Sequence, residues 1–489
     1  MFRRTLFSCV HLALGTVAFV PELALAQDSA AGVLRRTAAV MGDPKTIRYA
    51  GAGTGWSFGQ AYAPGKPWPK IAVHNLTRTL DYGTGSMREE ITLSRAEPMG
   101  GGGYPLSGQQ RNDQYLSGAH SWNVVASGPA ANSSRFVVDR SHQLWITPHG
   151  VVAAARRNNA TLQWQRKDGR SVAAVSFTEP GKFSAVAFVN DDYLVERVES
   201  RLPDHVLGEV SAVAVYSEYR DFGGVQFPAR IQLAQGGHPT LDLAVREVQS
   251  NAPAEFQVPD AVRDAQERIT TDRVADGVWY VAGGSHHSVA IELKDHIVLV
   301  EAPLSDARTV PVLEAVKKLA PGKPIRYVVN THHHFDHSGG LRAAVADGAT
   351  IVVQATSKPY FERAFATPSK IRPDRLTQSG KRATVLAVTD KTTLSDGSRT
   401  VELYKIRDSI HADTFLMAYL PKERLLIEGD AFTPLAPNAK PPATPNAYHV
   451  NLIENIERLK LGVDRILPIH GRVVPLADLY TTASRTRPK

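Results

Sequence analysis

Apolar and polar positions alternate with a period of two through much of the first half of the chain. Segments 136–139 (FVVD), 171–177 (SVAAVSF), 210–219 (VSAVAVYSEY) and 228–235 (PARIQLAQ) each put apolar side chains on one face of an extended strand, and together they predict antiparallel sheet. One helix is expected over 30–41. Gly51, Gly53 and Gly55 suggest a dinucleotide loop, but the chain continues as WSFGQAY with no entering helix, so the run reads as a glycine-rich strand. Gly100 to Gly103 reads as a loop, with no Lys-Ser/Thr behind it to hold a phosphate. Segment 251–260 (NAPAEFQVPD) is rich in proline and small polar residues and reads as a linker, with a boundary near 262. Beyond it the pattern changes. GVWYVAGG and HSVAIELKDHIVLVEA predict a strand hairpin, 325–330 (IRYVVN) a buried strand, and 311–319, 339–346 and 451–461 covering helices. The fold class is α+β, with a β-rich domain over 27–262 and a second domain over 263–489.

The N-terminal 26 residues carry Arg3 and Arg4, then the apolar stretch Leu6 to Val20, then Ala24-Leu25-Ala26 before Gln27. This is the pattern of a secretory signal peptide, and it implies a periplasmic or secreted protein. The apolar run is short, is broken by His11 and is followed by Pro21, which disfavours an uncleaved anchor, and no other stretch is long enough to span a bilayer. The single cysteine, Cys9, lies inside the signal, so the mature chain has neither disulfides nor a thiolate ligand. The formal charge of +8 is spread among acids with no aromatic-interleaved basic cluster, which excludes nucleic acid as an expected partner.

The chemistry concentrates in Thr331-His332-His333-His334-Phe335-Asp336-His337, between the strand at 325–330 and the Ser338-Gly339-Gly340 turn into a helix. In extended chain His332 and His334 point to one side and form a half-site, while His333 points away. As the chain turns into the helix, Asp336 and His337 swing toward a second position, the spacing that a two-metal hydrolytic site needs. The partial positive charge of the helix start favours an ionised Asp336. Isolated histidines such as His74, His142 and His238 are expected to be surface or hydrogen-bonded core residues.

T-H-x-H-x-D-H resembles the signature of the metallo-β-lactamase-fold hydrolases. The resemblance implies an αββα sandwich with the site at one sheet edge, a third histidine on a later loop, a Gly-Asp on a strand end and a C-terminal His-Gly. His411, Asp430 and His470 stand in that order. By this resemblance His332, His334 and His411 hold one metal, Asp336, His337 and His470 hold the second, and Asp430 bridges. Oxygen-reducing di-iron members carry an acid at the position of His334, and metallo-β-lactamases generally have Cys or Ser where this chain has Asp430. Asp430 is instead similar to the residue found in thioesterases, lactonases and sulfatases. Glu301 stands where the family commonly has Asp, which leaves that supporting contact open. In the other half, Tyr216 to Pro228 resembles the curved sheets of periplasmic lipoprotein-carrier proteins, which implies an apolar or lipid ligand on the N-terminal domain.

The ligand set suits two Zn²⁺ per chain and is also compatible with Fe or Mn. Two dications, two carboxylates and a bridging hydroxide leave a site that binds an oxyanion and lowers the water's pKa. Asp336 is the expected catalytic residue, orienting that water and passing its proton to the leaving group. Ser285, His286 and His287 are candidate substrate contacts on the hairpin loop. The sequence thus reads as an exported metal-dependent hydrolase acting on an ester-, thioester- or lactone-type bond of a small molecule. A β-lactam hydrolase is the alternative within the enzyme class. A periplasmic lipid- or lipoprotein-binding protein with a structural metal domain is the alternative outside it. The oligomeric state is left open.

N-terminal sequencing of the exported protein is expected to begin at Gln27. An intact Met1 on the exported chain is the outcome that overturns this.

Overall fold

The computed structural model describes residues 29–486 apart from 99, 104, 105, 107 and 267, so the expected export signal lies outside the described residues. The N-terminal half is built on one thirteen-stranded sheet in which neighbouring strands run antiparallel throughout. Its middle is the pairing of Thr46–Trp56 with both Lys70–Asp81 and His238–Ser250, so the first and last long strands of this half lie side by side. The glycine run sits here, inside a strand as expected. A Cβ on Gly53 would stand 2.0 Å from the Asp242 carbonyl oxygen, and one on Gly51 2.4 Å from that of Ala244, so the backbones approach too closely for any side chain. Helices Ala30–Met41, Ser134–Trp145 and Pro148–Arg157 cover one face through Val33, Met41, Leu144, Trp145, Val151 and Ala155.

The strand expected at 136–139 is not formed: these residues lie inside the helix Ser134–Trp145. Four residues fit either period. Over the wider window Val138, Ser141, His142 and Trp145 are buried at spacings of three, four and seven, which is a helical stripe. The other expected strands fall within Arg170–Glu179, Gly208–Asp221 and Gln226–Gln235, and the expected helix over 30–41 is Ala30–Met41.

The C-terminal half holds a seven-stranded sheet from Thr270–Ala275 to Val385–Val388 and a six-stranded sheet from Lys391–Ser395 to Val474–Pro475. Val298, Val329 and Val352 of the first meet Leu403, Leu416, Ile427 and Leu467 of the second in one buried cluster. Leu313, Val316, Leu341 and Phe361 cover the outer side of the first sheet, and Leu452, Ile456 and Leu479 that of the second. Strands buried on both faces need no polar side, which is why Ile297–Val300 reads as an unbroken apolar run. Each such side chain contributes roughly 1.5–3 kcal/mol of burial. Ile297–Val300 runs parallel to Ile325–Val329, and Leu425–Glu428 to Arg465–Pro468, so the carboxyl ends of each pair emerge together. The loops that follow carry Glu301, the histidine motif, Asp430 and His470. Among the described residues no helix is long and apolar enough to cross a membrane.

Two histidines in the N-terminal core are kept neutral by burial, which at His149 outweighs the Met41 carbonyl and the Asp43 charge. Burial lowers the pKa of both His142, which bonds the Ser200 hydroxyl at 2.7 Å, and His149 to about 4. The unfolded chain titrates near 6.5 and so binds more protons than the folded one between these values. Stability is therefore full above about pH 6.5 and falls as pH drops toward 4. Calorimetric melting is expected to show this decline, and His142→Gln is expected to flatten it by up to about 1.4 kcal/mol per pH unit in that window. Identical pH slopes for the two proteins would contradict the assignment.

Candidate metal centre

Thr331, at the end of its strand, gives both its backbone N–H and its hydroxyl to the Glu301 carboxylate, at 2.9 and 2.7 Å. The same carboxylate accepts from His337 Nδ1 at 2.6 Å, so one fully buried side chain fixes both ends of the histidine motif. Glu301 itself has φ +75, an uncommon conformation for a residue with a side chain. The contact left open by the Glu-for-Asp difference is therefore made.

Three histidines and a carboxylate, His332, His334, His411 and Asp430, each bring a donor atom within 4.8 Å of the others. A second group, His286, His337 and His470, does the same. Asp430 lies between them. Its Oδ2 is 3.1 Å from His411 Nε2 and 3.9 Å from His332 Nε2, while its Oδ1 is 2.7 Å from His337 Nε2 and 3.0 Å from His470 Nε2. Asp336 adjoins the second group, with Oδ2 3.4 Å from His286 Nε2 and 3.9 Å from His337 Nε2. His333 is turned away, as alternation predicts, with its Nδ1 2.7 Å from the Thr414 hydroxyl.

The far sides of these rings are held by acceptors, which fixes the tautomers. His337 Nδ1 donates to Glu301, His470 Nδ1 to the Ser285 carbonyl at 2.9 Å, and His334 Nε2 to the Ala61 carbonyl at 2.9 Å. In each case the other ring nitrogen faces the cluster, the arrangement of a metal-ligating histidine. Three observations fit a cation. His334 Nδ1 is buried with no hydrogen-bond partner, as is His411 Nδ1, and the Nε2 atoms of His332 and His411 face each other at 3.1 Å. Burial lowers the pKa of His332 and His334 well below the ordinary value. Burial also opposes charge on His337, but Asp430, Asp336 and Glu301 outweigh it and raise that pKa well above normal. For Asp430 burial is outweighed by His337, His470 and His411, which hold the carboxyl well below its usual range. The second cluster thus draws positive charge strongly, and a dication would supply it.

The N-terminal half reaches into this centre with residues 59–62. Gln60 Nε2 donates to Asp336 Oδ1 at 2.8 Å, the Gly59 carbonyl accepts from Phe335 N–H at 3.2 Å, and the Tyr62 carbonyl from Asp413 N–H at 2.8 Å. Tyr62 also donates its hydroxyl to the Ser409 carbonyl at 3.0 Å, beside His411. Gln60, Ala61 and the ring-holding role of Ser285 have no signal in the sequence pattern, since their partners lie 185 to 276 residues away. Of the hairpin candidates, His286 joins the second cluster. His287 instead accepts from the Gly283 N–H through Nδ1 and packs on Tyr280.

Residues 281–470 match the family model of the Metallo-beta-lactamase superfamily. The alpha subunit of 2,4-dinitroanisole O-demethylase from Nocardioides sp. (strain JS1661) is 26% identical over 204 residues, covering 42% of this chain and 57% of that protein. This chain therefore spans little more than half the length of that curated relative. Among solved structures, a metallo-beta-lactamase from Pontibacter korlensis shows 20% identity over 44% of this chain and 98% of its own, with a TM-score of 0.34. A flavo di-iron protein mutant from Thermotoga maritima shows 15% identity over 45% of this chain and 62% of its own, with a TM-score of 0.35. The C-terminal region carries the metallo-β-lactamase fold, and the family match begins only after the N-terminal sheet.

Metal analysis of the purified chain is expected to give about two ions, with His334→Ala and His470→Ala each lowering this toward about one. A content near one that His470→Ala leaves unchanged would rule out two separate positions.

Proposed function

We propose that the protein is an exported metal-dependent hydrolase whose dinuclear centre cleaves an ester-, thioester- or lactone-type bond of a small molecule. The observation that carries this is Asp430, whose two oxygens face two separate clusters of imidazoles. His332, His334 and His411 would hold one ion, His337 and His470 the other, with Asp430 shared and Asp336 and His286 completing the second. Zinc is the metal we favour on donor type, with three imidazoles on each side and no thiolate. When bound, the ions supply Lewis acidity and a hydroxide nucleophile near neutral pH.

The chain's own part is to orient and to move a proton. Gln60 occupies Asp336 Oδ1 with a hydrogen bond, which leaves Oδ2 as the oxygen facing the second cluster. Burial works against an ionised Asp336, but His337 and His286 overcome it and keep the carboxyl well below its usual range. Asp336 is thus a carboxylate at working pH, able to orient the attacking water and pass its proton to the leaving group. Glu301 and the Ser285 carbonyl hold His337 and His470 against rotation, so the donor atoms need no rearrangement on reaction. Export rests on Arg3, Arg4, the apolar run and Ala24-Leu25-Ala26, and we keep 27–262 and 263–489 as the two domains of the mature chain.

The test is a substrate panel of esters, thioesters, lactones, sulfate esters and β-lactams offered to the metal-loaded protein. An activated aryl methyl ether belongs in it, because the curated relative is named for O-demethylation of 2,4-dinitroanisole. Asp336→Asn keeps an oxygen for Gln60 and removes the charge. It is expected to leave the melting temperature near that of the parent and to lower kcat by about 10² or more. Full activity of Asp336→Asn with both ions bound would remove Asp336 from the mechanism. His333→Ala is expected to leave metal content unchanged, although it empties a fully enclosed position and will lower the melting temperature.

A further inference from the structure

A cavity of about 350 Å³ lies between the N-terminal sheet and the metal centre. Its walls come from both halves of the chain. Trp56, Phe58 and Ile71 with Leu93 form an apolar side, Leu304 and Phe335 close it from the C-terminal region, and Gln60 and Asp336 stand where it meets the centre. The volume is at the lower end of the range for small-molecule sites, and the wall is mixed, its apolar side facing polar and charged residues that include Glu89, Asn112, Asp139, Arg140 and Gln143. Asp336 belongs to both spaces. One oxygen bonds the wall residue Gln60, and the other faces His286 and His337.

The charged side chains of the wall are already engaged. Arg140 gives hydrogen bonds to the carbonyls of Tyr115 and Trp122, the Ser121 hydroxyl and the side-chain oxygens of Gln114 and Asn123. Arg135 pairs with Asp139, and Glu89 with Arg78. An anion entering this space meets engaged guanidiniums and three carboxylates, Glu89, Asp139 and Asp336. One wall atom does want a partner: Gln60 Oε1 is buried with no hydrogen bond, on a residue that is 1% exposed.

We propose that this cavity seats the body of the substrate. The ligand class is an uncharged molecule with an apolar or aromatic body, rather than a phosphate, sulfate or carboxylate anion. The proposal rests on the hydrolytic reading of the metal centre and assigns the N-terminal half its part in that reaction. A larger groove of about 670 Å³, lined by Ser176, Ser184, Glu199 and Ser211, lies on the outer part of the same sheet and includes none of the metal-centre residues. It is the competing location for an apolar ligand.

The test uses the full-length protein, the neutral fluorophore N-phenyl-1-naphthylamine and p-nitrophenyl hexanoate. Asn112→Trp fills the cavity from a half-buried strand position, and Ser211→Trp fills the outer groove from an exposed one. The expected result is fluorophore binding that competes with ester hydrolysis and weakens about tenfold or more in Asn112→Trp, with little change in Ser211→Trp. For the ester, KM is expected to rise in Asn112→Trp by more than kcat falls, with p-nitrophenyl sulfate not cleaved. Should Asn112→Trp fold and leave both binding and KM unchanged, or should Ser211→Trp be the variant that abolishes binding, the cavity assignment falls. If no panel substrate is cleaved while Asn112→Trp still abolishes fluorophore binding, the cavity stands as a ligand site and the hydrolytic reading falls. Cleavage of p-nitrophenyl sulfate in preference to the neutral ester would overturn the substrate class. Melting curves of the variants separate these outcomes from failure to fold.

Discussion

Imidazole nitrogens and carboxylate oxygens that face one another at about 3 Å in a nearly dry space set the terms for everything around them. A buried polar atom without a partner costs roughly 1–3 kcal/mol, and here several converge on two points. Such a cluster relaxes by rotating its rings apart unless each is held from behind. The architecture answers that requirement ring by ring. Glu301 holds His337, the Ser285 carbonyl holds His470, the Ala61 carbonyl holds His334 and the Thr331 hydroxyl sits 3.0 Å from His332 Nδ1. The strained backbone at Glu301 belongs to the same account, since a relaxed φ would carry its carboxylate away from Thr331 and His337.

The two halves of the chain are joined at the chemistry. Residues 59–62 follow the central strand of the N-terminal sheet, and that strand is locked by pairing on both edges, so the segment leaves a rigid base. It then bonds the loops that carry His334, Asp336 and His411. Phe58 stacks edge-on against Phe335 with ring centroids 5.2 Å apart, and Gly59 is bare because a Cβ there would lie 2.6 Å from the Phe335 ring. The N-terminal sheet is therefore part of the wall of the centre, while the family resemblance covers only the residues beyond it.

What the sequence made legible follows the range over which each signal acts. The histidine motif was readable because its geometry is local, a strand end turning into a helix within seven residues, and His411, Asp430 and His470 followed from their order. Alternation told His333 from His332 and His334 correctly for the same reason. Phe136 to Asp139 was misread because four residues do not separate a period of two from one of 3.6. Gln60 and Ala61 were invisible, since nothing near them in the chain announces partners more than 270 residues away. His286 stood out as a loop histidine, but its place among the metal-centre rings depends on how the hairpin folds over, which sequence spacing does not encode.

The hydrogen bonds made by residues 59–62 also couple the stabilities of the two halves. Separating them would strip the Ala61 carbonyl from His334 and the Gln60 amide from Asp336, and each buried polar group left unpaired costs roughly 1–3 kcal/mol. Loosening of the N-terminal sheet would therefore be felt first at the loops that carry His334 and Asp336, although no residue of those loops belongs to that sheet.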